Sequence, residues 1–198
     1  MHPVPAAAEP VLYEVEAMRK LANWRPLVQW FLAIPHWIIA SILNSVSGVL
    51  ALISFFAILF TGNIPAGLFD FQVMTFRYRA RVTAYSMFFH DKYPPFDFTT
   101  SADDPGGDPL RFSIEHPPKF NRWLPLVKWL FIIPHLLLLI VLAIGGFFVG
   151  LWAVFAVLFT GNYPPAAQSY LIRLNRYGNR ILAYLYLISD HYPKFGLQ

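Results

Sequence analysis

The chain repeats itself at a displacement of 99 residues. LFTGN stands at 59–63 and again at 158–162. Around it, Trp24-x-Pro26-Leu27-Val28-x-Trp30 falls on Trp123-x-Pro125-Leu126-Val127-x-Trp129, and Ile34-Pro35-His36 falls on Ile133-Pro134-His135. Downstream, Arg77-Tyr78 pairs with Arg176-Tyr177, Arg81 with Arg180, Asp91 with Asp190, Tyr93-Pro94 with Tyr192-Pro193 and Phe96 with Phe195. Register without a gap over this length means tandem duplication, so any fold must be buildable from one unit used twice. The polar stretch TTSADDPGGDP has the Gly, Pro and Asp content of a linker. The chain therefore divides into a tail at 1–10, copy one at 11–98, a linker at 99–109 and copy two at 110–198.

Hydrophobic residues make up 57% of the chain and charged residues only 13%, about half the usual charged share. That balance points to a bilayer rather than to a soluble core. With no cysteine, disulfides, thiolate metal sites and cysteine nucleophiles are excluded. The first residues lack a basic stretch followed by an apolar run, so no cleavable signal peptide is expected. The net charge of +4 is too small and dispersed for nucleic acid but suits anionic headgroups.

Each copy carries an apolar run of 34 residues, 27–60 and 126–159. As one helix such a run is about 51 Å long, against about 30 Å of hydrocarbon. Two arrangements fit: a kinked helix with an interfacial first part, or a helical hairpin turning at Asn44–Gly48 and at 144–147. A single crossing divides Lys and Arg seven against eight between the two sides, whereas a hairpin puts all 15 on one side. The positive-inside rule therefore favours the hairpin, with both termini cytoplasmic. The expected fold is an all-α membrane protein. Each copy has a long hydrophobic hairpin or kinked span, then an amphipathic interfacial helix. LYEVE and RFSIE each suggest a short strand before the copy.

In 168–189, Arg173, Arg176 and Arg180 share one helical sector opposite Leu171, Leu174 and Ile181, and copy one repeats the pattern with Arg77 and Arg81. These five arginines are the expected contacts to lipid phosphates or to a partner's acidic surface. Trp24, Trp30, Trp123, Trp129, Tyr93 and Tyr192 are the expected interface anchors. Gly48, Ala51, Gly145, Gly146 and Gly150 offer places for close helix approach.

The order of an aromatic segment (WLPLVKW), IPH, a long apolar run, LFTGN-x-P, a basic helix and D-x-Y-P resembles a bacterial integral-membrane family. It is designated domain of unknown function number four-three-eight-nine. The likeness covers both copies and implies membrane architecture, with no catalytic residue to transfer.

His36 and His135 occupy matching places and are the candidate axial ligands if a haem or chlorophyll is bound; the plainer reading is a polar residue beside a proline break. Asp91 and Asp190 read either as a relay or as acidic helix ends. LFTGN reads as a helix cap rather than an anion nest. Asp103, Asp104 and Asp108 lack calcium-loop spacing and read as a solvated linker. No catalytic constellation, metal site or bound cofactor is expected. The function expected is that of a non-catalytic accessory or scaffold subunit in the bacterial inner membrane, multi-pass, in contact with lipid and other membrane-protein subunits. The alternatives are a small two-repeat transporter or channel, and a haem- or chlorophyll-ligating subunit.

Overall fold

The computed structural model describes residues 10–197. The tail at 1–10 lies, except for Pro10, outside them. The described residues form β1 (Val11–Val15), α1 (Arg25–Thr61), α2 (Ala66–Ser86), β2 (Leu110–Ile114), α3 (Leu124–Thr160) and α4 (Pro165–Leu185). The architecture is thus mostly helical, with one small strand pair.

The helical hairpin inside each apolar run does not exist. α1 and α3 are each one continuous helix of 37 residues, about 55 Å long, and Asn44–Gly48 and 144–147 lie within them. The physical reason lies in which side of the helix those residues occupy. In α1 the buried residues are Pro26, Gln29, Ala33, His36, Ala40, Ser47, Ser54 and Ile58, three, four or seven apart. In α3 the matching stripe is Pro125, Lys128, Ile132, His135, Gly146, Ala153 and Val157. Small and polar residues at this spacing form a narrow seam against the next helix. Of the helix-weakening residues, Ser47 and Gly146 lie on this packing face while Ser45 and Gly48 are exposed, and none of them makes a turn.

The chain does reverse in each copy, but at LFTGN-x-P. Gly62 (φ 75°) and Gly161 (φ 66°) close the long helices in the left-handed conformation, their N–H groups bonding the carbonyls of Ile58 and Val157 at 2.8 Å. Pro65 and Pro164 then precede α2 and α4, which return along α1 and α3. Gln72 Nε2 donates to Ser54 Oγ (2.9 Å) and Trp37 Nε1 to Ser86 Oγ (3.0 Å), which fixes the antiparallel register.

β1 and β2 pair antiparallel, with Tyr13 opposite Phe112 at the centre. Each strand belongs to one copy and packs on the other side of the duplication: β1 on α4, β2 on α2. Reciprocal backbone bonds continue the exchange, from Leu21 N to Gly161 O and from Phe120 N to Gly62 O, both 2.9 Å. The two copies are thus related by a pseudo-twofold axis, and α1 runs antiparallel to α3.

The outer surfaces of α1 and α3 are apolar. Phe31, Ile38, Val49 and Phe60 in α1, and Leu137, Val141, Phe147 and Phe159 in α3, are all more than half exposed. Only 17% and 11% of the most apolar windows of these helices are buried, at mean hydropathies of 2.2 and 2.7, and both helices are long and apolar enough to cross a membrane.

Candidate functional site

The motifs that define each copy meet at one place. His36 is fully buried on α1, one residue after Pro35. Its Nδ1 lies 2.7 Å from Tyr78 Oη on α2. Phe96 stacks on the imidazole at 4.2 Å, and Tyr93 meets it edge-on at 4.7 Å. Copy two repeats the cluster: His135 Nδ1 to Tyr177 Oη at 2.7 Å, Phe195 stacked at 3.9 Å and Tyr192 edge-on at 4.7 Å.

Proline supplies the reason for the tyrosine. Pro35 and Pro134 have no N–H, so the carbonyl ladder of the helix is interrupted one turn earlier. Tyr93 Oη donates to Leu32 O at 3.3 Å and Tyr192 Oη to Phe131 O at 3.2 Å, beside those breaks. The D-x-Y-P-x-F segment is a latch across the proline turn, and the histidine is the surface on which it closes.

Nδ1 of each histidine is taken by a tyrosine and both rings are 0% exposed, so no room for a macrocycle lies beside Nε2 and the residues present do not fit a haem or chlorophyll ligand. Nε2 of both histidines meets no hydrogen-bonding partner among the described residues. No group of three or more His, Cys, Asp or Glu placed to hold a metal occurs among them either.

Beside each latch lies an acid whose cation has changed position between copies. In copy one Arg25 donates to Asp91 O (2.6 Å) and Oδ2 (3.3 Å), while Gln29 Nε2 donates to His90 O (2.7 Å). In copy two Leu124 replaces the arginine, and Lys128, matching Gln29, reaches both Ser189 O and Asp190 Oδ1 at 2.8 Å. The carboxylate and the held carbonyl persist; only the donor moves. Asp91 and Asp190 lie five residues beyond the ends of α2 and α4, each paired with a cation.

The arginine face expected on the surface is turned inward in copy one. Arg77 and Arg81 are each 1% exposed. Arg77 donates to the carbonyls of Thr99, Ser101 and Asp103, at 2.6–3.0 Å. Arg81 forks between Asp97 Oδ2 (3.0 Å) and Asp104 Oδ1 (2.9 Å). Asp104 in turn accepts Phe112 N of β2 at 2.6 Å. Lipid contact by Arg77 and Arg81 is therefore corrected: burial would strand their charge, so the linker supplies carbonyls and carboxylates. The solvated-linker reading falls for Asp104 and Asp108, whose side chains are buried, while Asp103 is exposed. In copy two, Arg176 is half-buried and donates to Tyr13 O at 3.1 Å, Arg180 is half-buried, and Arg173 is exposed. The aromatic anchors are all exposed: Trp24 and Trp30 by 55%, Trp123 by 73%, Trp129 by 62%. Tyr93 and Tyr192, also exposed in part, carry the latch.

A second buried polar contact ties the linker to copy one. His90 Nε2 lies 3.9 Å from Asp108 Oδ1, and both side chains are buried. Burial pushes His90 below the ordinary imidazole range, against the pull of Asp108 and Asp91 and the carbonyl of Lys92 and with the push of the Lys92 cation; burial also raises Asp108. A folded pKa below the unfolded one makes the neutral ring a stabilising state that is lost as pH falls through the imidazole range. Asp108, raised, returns part of that stability as it takes up a proton at lower pH. The melting midpoint of the protein should therefore fall on acidification from about pH 7.5 to about 5.5, and His90→Gln should flatten the profile. Equal slopes in the two proteins would show that His90 does not carry it.

Between the copies lies an apolar cleft of about 510 Å³, lined by Trp30, Trp37, Gly146, Gly150, Val154 and Leu171 among others. Gly146 abuts α4, where an added Cβ would come within 2.6 Å of Leu174 Cδ2; Gly150 and Gly48 face open space.

Taken together, the molecule is a duplicated helical-hairpin protein whose long helices carry small and polar residues on the packed seam and large apolar ones outside. The chain belongs to the family described as Domain of unknown function (DUF4389), which matches twice, at residues 23–97 and 123–196. Neither curated proteins nor solved structures gave a match.

Proposed function

We propose that this protein is a membrane-embedded, non-catalytic subunit that packs against lipid and against other membrane proteins. The observation that supports this reading is the inversion of α1 and α3. The seam of α1 holds Gln29, His36, Ser47 and Ser54 and that of α3 holds Lys128 and His135, while the outward surfaces hold Leu, Ile, Phe and Trp. Water would penalise so large an apolar surface, and lipid tails would not. All six tryptophans, Trp24, Trp30, Trp37, Trp123, Trp129 and Trp152, lie on these helices or at their N-caps, each more than 40% exposed. The groups brought together in the latch are held by one another and present no nucleophile, acid–base pair or metal set to a substrate.

In vesicles with bromine on the acyl chains, tryptophan emission should be strongly quenched, and the protein should float with the lipid. Recovery in the aqueous fraction, or unquenched emission, would overturn the membrane reading. Purification from native membranes should return stoichiometric membrane partners and a colourless protein. Substrate-dependent flux through proteoliposomes holding this chain alone would replace the accessory role with transport.

A further inference from the structure

We infer that α1 and α3 lie along the membrane, in one leaflet, rather than across it, with the pseudo-twofold axis along the membrane normal. This inference rests on the membrane reading above and adds its geometry. The axis passes through the Tyr13–Phe112 pair, the centre of the small sheet. Among the described residues that sheet packs on α2 and α4 and not on α1 or α3, which pack on α2 and α4 in turn. Three layers result: long apolar helices, then α2 and α4, then the sheet and linker.

The sheet sits at mid-length of the helical layer. Arg176, at the middle of α4, bonds Tyr13 O, and Arg81 of α2 holds Asp104, which holds Phe112 N. The outer layer is charged: Glu14 faces Arg111 across the strands, and these two, Glu16 and Asp103 are exposed. If α1 and α3 crossed the bilayer, this charged layer would stand at the midplane, where ionised side chains are costly. With the long helices flat in one leaflet, the same layer faces water and the apolar surfaces of α1 and α3 face acyl chains. Length agrees, since helices of about 55 Å overshoot about 30 Å of hydrocarbon. One leaflet, with its acyl chains against α1 and α3, is the occupant of this face.

The ends of the long helices give a decisive test. Lys20 pairs with Asn162 where α1 begins and α3 ends, and Lys119 adjoins Phe120, which bonds Gly62 where α3 begins and α1 ends. Both lysines are exposed, and the chain has no cysteine of its own. The variant Lys20→Cys with Lys119→Cys, reconstituted in sealed vesicles and treated with an impermeant maleimide, is read by intact mass. Helices lying in one leaflet give molecules with two labels or none, whichever way each molecule faces. Crossing helices give one label per molecule, and a predominance of that species overturns the inference. In detergent every molecule should carry two labels, establishing that both thiols react. Failure to float with the vesicles would instead sink the membrane reading on which the inference stands.

Discussion

Arg81→Met is expected to destabilise the protein by about 3–5 kcal/mol, the cost of removing one partner from a buried charge cluster. Arg81 is the only cation paired with both Asp97 and Asp104 among the described residues, and the Arg81 side chain is 2% exposed. Methionine fills much of the volume but leaves two carboxylates without the cation that bonds them, with only the more distant Arg77 charge to offset them. Asp104 cannot simply turn away, because it also accepts Gly106 N at 2.7 Å and Phe112 N at 2.6 Å. Lysine restores a charge but not the fork, so Arg81→Lys should recover only part of the loss. Chemical unfolding in detergent measures the magnitude, and limited proteolysis at 97–108 reports release of the linker. A loss below about 1 kcal/mol would place Arg81 in the range of a surface pair.

Gly161→Ala should cost about 2–3 kcal/mol, and Gly62→Ala about 1 kcal/mol, although the two glycines are equivalent by the repeat. Both residues sit at positive φ, which any side chain resists. The difference lies in what a Cβ would meet. At Gly62 the nearest atom is Arg122 Nε at 3.1 Å, the flexible end of a long side chain. At Gly161 the neighbours are Asn23 Oδ1 at 2.8 Å and the backbone carbonyl of Leu21 at 3.0 Å. That carbonyl cannot move without disturbing the Leu21 N to Gly161 O bond. Equal destabilisation of the two variants would contradict the asymmetry.

Much of this architecture is written in the residues. The displacement of 99 requires two like units, LFTGN-x-P encodes the helix stop, and LYEVE and RFSIE mark the strands that pair. What misled was polarity. In a soluble protein Asn44, Ser45, Ser47 and Gly48 would break a helix, and arginines in one sector would face outward. Here the outside is largely apolar, and of these residues Ser47 marks the inside while Ser45 and Gly48 stay on the exposed side of an unbroken helix. The count of Lys and Arg points to a hairpin, but each apolar run is one continuous helix. The partners of Arg77 and Arg81 were legible in principle, since four acids cluster at Asp97, Asp103, Asp104 and Asp108 just after a helix with arginines four apart. The latch could not be read from spacing: it joins residues 42 and 60 positions apart through a chain reversal at LFTGN-x-P rather than within the apolar run.

The exchange of leading segments has a consequence for how such a molecule came to be built. Because β1 rests on α4 and β2 on α2, and each helix stop is bonded by the other copy, neither unit closes its own ends. Two identical single-unit chains would make the same closures reciprocally, as a domain-swapped homodimer. Fusion through the linker converts that encounter into an intramolecular one at high effective concentration. It also releases the halves from identity, so that Gln29 and Arg25 on one side and Lys128 on the other arrive at different solutions to the same carbonyl and carboxylate.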